Sequence, residues 1–155
     1  MKIFKLMIPV IWMVAIWAFA MAPMEGRAAS ETPLFKDYQV AEVRLFEVPL
    51  NVAAPDSEGR IVADETVYQI TRYNAKFNLF EMVIREGAQK VPPGKKVLLV
   101  KGTITAYSPN GTCAVHCQFV DKASGQVLLE IDPQGLRFRV ANYIAKIIYQ
   151  NKAGK

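Results

Sequence analysis

Three consecutive segments decide the fold: Val97-Leu98-Leu99-Val100-Lys101-Gly102-Thr103-Ile104-Thr105-Ala106-Tyr107, then Ser108-Pro109-Asn110-Gly111, then Thr112-Cys113-Ala114-Val115-His116-Cys117-Gln118-Phe119. In the first, Leu98, Val100, Ile104 and Ala106 share one side, with Lys101, Thr103 and Thr105 opposite. In the last, Cys113, Val115, Cys117 and Phe119 face one way and Thr112, His116 and Gln118 the other. This period of two is the mark of half-buried strands. Between them, proline presets a turn and Asn-Gly accepts positive φ, which is hairpin chemistry. A second turn, Asp121 to Gly125, leads to Val127, Leu129 and Ile131 alternating with Gln126 and Glu130. Three strands on short turns predict an antiparallel meander.

Working outward, the sequence predicts a helix on each side. Val67, Ile70, Tyr73, Phe77, Phe80 and Ile84 recur at steps of three and four, predicting a helix over Asp64 to Glu86. Asp64 would cap its first turn, and Gly87 would end it in a left-handed conformation. Leu136, Val140, Tyr143, Ile144, Ile147 and Ile148 form the apolar face of a last helix, opened by Asp132-Pro133 or Gly135 and ending near Lys152. Ahead of all this, Ala41, Val43 and Leu45 alternate with Glu42 and Arg44 in a strand that slips near Phe46 to Val48 and stops at Pro49. Residues 51–60, with Pro55 and Gly59, read as a loop. The order strand, helix, three strands, helix predicts an α+β domain over residues 39–152: an antiparallel sheet of about four strands with two helices on one face.

Residues 30–38 read as a tether and residues 1–29 as a leader. Lys2 and Lys5 precede an uncharged run, Leu6 to Met24, and the small residues Gly26, Ala28, Ala29 and Ser30 follow. That is the layout of an export signal cut after Ala28 or Ala29. The run is also close to the roughly 20 residues that span a bilayer, so an uncleaved N-terminal anchor is the other reading. Either way the leader meets the membrane, and the domain is expected outside the cytoplasm, in the periplasm or at the envelope.

Composition narrows the chemistry. The chain has 155 residues, 52% hydrophobic and 21% charged, which suits a single globular domain. Its net charge of +5 drops to +3 once residues 1–29 are removed, so the domain carries no strong basic excess and nucleic acid is not an expected partner. One histidine and two cysteines exclude two-imidazole devices and a four-cysteine zinc site.

The stretch from Lys96 to Lys152 resembles the DUF4410 family of small exported bacterial proteins. The resemblance rests on Val97 to Tyr107 with its glycine before Thr103-Ile104, Asn110-Gly111 in the turn, Phe119-Val120-Asp121-Lys122-Ala123-Ser124-Gly125-Gln126-Val127-Leu128, and Val140 to Ile148. It implies an envelope-associated α+β domain and supplies no catalytic residues. The lipid-attachment cysteine common in that family is missing here, and the glycine-rich stretch after the hairpin turn is shorter.

Two clusters merit weighing as sites. Cys113, His116 and Cys117 have metal-ligand chemistry, and on a helix they would share a face. On a strand the thiols point inward, His116 points outward, and Cys113 and Cys117 sit about 13 Å apart at a rise of roughly 3.3 Å per residue, too far for a disulfide. Buried thiols packing as apolar groups is the expected reading. Arg85, Lys90, Lys95, Lys96 and Lys101 could form a patch for an anionic partner such as a lipid headgroup or acidic glycan, or simply a solvated surface. The sequence holds no phosphate-binding glycine loop, no Gly-x-Ser-x-Gly elbow and no paired carboxylates with a histidine. The expectation is a non-enzymatic module, with no cofactor, that binds an envelope protein, glycan or lipid; a metal-binding or thiol-redox protein built on Cys113, His116 and Cys117 is the alternative.

Overall fold

The computed structural model describes residues 32–154, so the leader expected over residues 1–29 lies outside the described residues. The expected tether is docked from Pro33 onward: Phe35 and Tyr38 are buried, and the Phe35 N–H donates to the Asn151 carbonyl at 2.9 Å. The elements are β1 (Val40–Val43), α1 (Glu58–Phe77), β2 (Met82–Arg85), β3 (Val97–Ser108), β4 (Thr112–Asp121), β5 (Val127–Ile131), β6 (Gln134–Leu136) and α2 (Arg137–Ala153). They make an α+β domain.

The sheet runs β2-β1-β3-β4-β5, with β6 also paired to β4. It is mixed, with six strands, where an antiparallel sheet of about four was expected. The expected β3-β4-β5 meander is antiparallel, but β1 pairs in parallel with both β2 and β3. Parallel strands need a crossover, and α1 supplies it between β1 and β2.

Helix α1 begins and ends about six to nine residues earlier than its apolar stripe suggests. It starts after Pro55-Asp56-Ser57, so Glu58 to Arg60 belong to the helix and not to a loop. Asp64 lies inside the helix and pairs with Arg85 instead of capping. The helix stops at Asn78, left-handed at φ 50°, whose N–H bonds the Asn74 carbonyl at 2.8 Å. The Asn74 side chain then accepts the Phe80 N–H at 2.7 Å and turns the chain into β2. Phe80 and Ile84 are buried as expected, but from the connection and from β2. Gly87, with φ +77°, closes the turn after that strand.

The core lies between one sheet face and both helices. Ala41, Val43, Leu98, Val100, Ile104, Cys113, Val115, Cys117 and Phe119 meet Val62, Ile70, Ile144 and Ile148 there. A bulge between Ile104 and Ala106 shifts the phase of β3, so Ala106 is exposed and Tyr107 turns toward the core. A second irregularity between Phe119 and Val120 leaves Val127 exposed. Leu45 is exposed as well, because regular pairing in β1 ends at Val43 and the following chain runs on beside β3 with Phe46 turned inward. Gly102 is what admits that ring: a Cβ at residue 102 would sit 2.5 Å from the Phe46 ring carbons. The Glu47 N–H and carbonyl bracket the same point, bonding Gly102 O and Ile104 N at 2.8 Å each. No helix among the described residues is long and apolar enough to cross a membrane.

Candidate functional site

The two helices run in the same direction. At their first turns Glu58 accepts two hydrogen bonds from the Arg137 guanidinium, at 2.5 and 2.8 Å, and the Tyr107 hydroxyl stands 3.4 Å from the same group. Glu58 is fully buried, and its carboxylate holds the guanidinium above its ordinary pKa. At the other end, Phe77 of α1 stacks on Tyr149 of α2 with centroids 4.3 Å apart. Tyr73 completes a trio, 6.0 Å from Phe77 and 5.9 Å from Tyr149.

Over this trio the helices leave a groove of about 450 Å³, lined by the three rings with Arg72, Lys76 and Lys146 and by the amides of Asn142 and Gln150. Lys76 Nζ sits 5.1 Å from the Phe77 ring centre, a cation–π contact that keeps its charge at the groove edge. The helical spacing predicts Tyr73 and Phe77 in a core stripe. In fact Tyr73 is half-buried and Phe77 is exposed, because α1 ends there and the sheet no longer lies beneath it. Arg72 and Lys76 flanking Tyr73 and Phe77, with Lys146 and Tyr149 three apart on α2, were the available signal. Knowing that those two helix faces meet required the topology.

Cys113, His116 and Cys117 are not brought together. Both thiols lie in the core on one face of β4, and burial raises the pKa of each. His116 projects from the other face, its Nδ1 2.8 Å from the Asp132 carboxylate and its Nε2 3.7 Å from Glu130. Glu130 also accepts from the Gln118 amide at 2.6 Å. No group of three metal-ligating side chains converges among the described residues.

The basic cluster is divided. Arg85 pairs with Asp64, Lys95 pairs with Glu81 at 2.6 Å, and Lys96 lies 4.6 Å over the Tyr38 ring. Lys90 is exposed in the β2–β3 connection. Lys101 stands on the face of β3 away from the helices, where it lines a depression of about 120 Å³ with Arg44, Thr103 and His116. Nearby, Arg44 forms a two-pronged pair with Glu86 at 2.6 Å per contact, which holds the Glu86 carboxyl below its usual range.

A PelC dodecamer from Paraburkholderia phytofirmans, carrying one substitution, superposes on this chain with a TM-score of 0.50 at 12% identity, over 77% of this chain and 90% of that one. The fold is similar to that of PelC. Two further solved structures share less. A Xanthomonas campestris protein of family DUF330 has a TM-score of 0.39 at 10% identity, over 75% of this chain and 83% of that one. A protein described as a putative neuraminyllactose-binding hemagglutinin homolog from Helicobacter pylori has a TM-score of 0.41 at 10% identity, over 74% and 83%. No family profile and no curated protein sequence matches the chain.

Proposed function

We propose that the protein is an exported, envelope-associated module that binds a protein, glycan or lipid partner and catalyses no reaction. The inter-helix groove carries this reading: it gathers three aromatic rings and three cations at an open surface, with no thiol or carboxylate in its lining. Such a surface is suited to recognition, since aromatic and arginine side chains contribute most where partners meet. The two thiols face the core, and the only imidazole stands on the other side of the sheet with carboxylates for neighbours. Neither arrangement presents an activated nucleophile with its base.

Export is supported by Lys2 and Lys5, the uncharged run Leu6–Met24 and the small residues around Ala28. The test is cell fractionation of the full chain with N-terminal sequencing of the recovered form, then intact native mass spectrometry and thiol labelling. The expected result is envelope or periplasmic protein, without bound metal, whose thiols label only after denaturation. Cytosolic protein starting at Met1, one bound metal ion, or prompt labelling of both thiols would each overturn the proposal.

A further inference from the structure

We propose that the groove between α1 and α2 binds an acidic oligosaccharide, an inference that rests on the binding-module reading and gives it a ligand class. At about 450 Å³ the groove falls in the range that holds small ligands. It does not stop at the aromatic trio. An adjoining depression, also about 450 Å³, shares Arg72, Asn142 and Lys146 and adds Phe138, Arg139 and Tyr143. From Phe138 to Tyr149 this track covers about 16 Å of helix at 1.5 Å per residue, the reach of a short chain of sugar rings. Phe77, Phe138 and Tyr143 are 39%, 51% and 45% exposed, an alignment of uncovered rings beyond what scattered surface aromatics provide.

Each group in the track selects for part of that ligand. The negative face of an aromatic ring attracts the polarised C–H groups on one face of a pyranose. Arg72, Lys76, Arg139 and Lys146 supply positive charge, and among the described residues no carboxylate lines either depression to cancel it. Guanidinium and ammonium groups bind carboxylates through short, charge-assisted hydrogen bonds. Asn142 and Gln150 each carry an amide that both donates to and accepts from hydroxyls. An acyl chain would leave the amides and cations unmatched, and a neutral sugar would leave the cations unmatched. A carboxylated sugar chain uses all three.

The experiment titrates the full chain calorimetrically with oligogalacturonate, with its methyl ester (same rings, charge removed), with phosphatidylglycerol vesicles and with oligothymidylate. The expected result is binding of oligogalacturonate, with the ester at least tenfold weaker. Phe77→Ala should weaken it by about fivefold, from one lost ring contact. Lys76→Gln with Lys146→Gln should weaken it by about tenfold, while Lys90→Gln, outside the track, leaves it unchanged. Circular dichroism of each variant, matched to the parent, keeps the comparison on binding. No binding of oligogalacturonate, equal loss in Lys90→Gln, indifference to Phe77→Ala, or tighter binding of vesicles or oligothymidylate would overturn the inference. An exported protein that ignores oligogalacturonate refutes this inference alone; a cytosolic one that binds it refutes export alone.

Discussion

The buried pair between Glu58 and Arg137 offers a quantitative test, because it joins the first turns of two helices 79 residues apart in sequence. Replacing Arg137 by Met leaves the Glu58 carboxylate, which is fully buried, without its two guanidinium hydrogen bonds. Breaking a buried pair in this way costs about 3–5 kcal/mol. The low end, about 3 kcal/mol, applies here, because the Arg137 side chain is 33% exposed and its removal opens a path for water. Glu58→Gln keeps the shape and one acceptor, and Arg137 can turn partly to solvent, so a loss of about 2 kcal/mol is expected. The double variant Glu58→Gln/Arg137→Met removes both charges. It should lose about 2 kcal/mol less than the two single losses combined, in line with coupling between residues in direct contact. Urea unfolding of the four proteins, with unchanged m-values, measures each quantity. Additivity within about 0.5 kcal/mol, the range seen for independent sites, would show that the pair is not coupled and that the parallel helix arrangement rests on apolar packing alone.

Gly102→Ala should destabilise the fold by about 1–3 kcal/mol, because the new Cβ meets the buried Phe46 ring at 2.5 Å; Gly102→Ala combined with Phe46→Leu should recover part of the loss in the same unfolding assay. The Tyr38 phenol is pushed up to about 12 by burial and by its hydrogen bond to Asp121, so the native state keeps a proton that the unfolded chain releases near 10. That contribution is present below about pH 10 and is lost as pH rises toward 12; Tyr38→Phe should flatten this part of the stability–pH curve, and an unchanged slope would refute it. Asn78→Val should cost about 1–2 kcal/mol, since a branched residue resists the left-handed conformation held there, whereas Asn78→Gly should be nearly neutral.

The antiparallel half of the sheet could be read from sequence because its signals are local. Alternation in β3 and β4 sorts the thiols from His116, and Gly111, at φ +82°, sits in the turn where Asn-Gly announces it. Strand β2 could not be separated from α1 by periodicity, since Phe80 and Ile84 continue the helical spacing while being buried for a different reason. Asn78 was the local clue, a residue that tolerates the left-handed form. Parallel pairing of β1 with β2 and β3 has no signature within β1 itself, where Glu42 is buried by its 2.6 Å pair with Lys122 rather than turned to solvent. The bulge at Ile104/Ala106 likewise depends on the partner strand. The candidate site was the least legible part. Its rings and cations come from two helices whose meeting depends on the crossover, so the spacing of Lys146 and Tyr149 could not be joined to that of Tyr73 and Phe77 until α1 was placed beside α2.

Strand β1 is held on both sides by strands running its own way, with four residue pairs in each ladder. Tension applied through the chain at residue 32 would first meet the docked Phe35 and its bond to Asn151, and then β1, loading both ladders in shear. All of those bonds would then have to yield together, whereas a hairpin edge can be unzipped one pair at a time. The end of the described chain at residue 32 is therefore tied to an interior strand of the sheet rather than to a free edge.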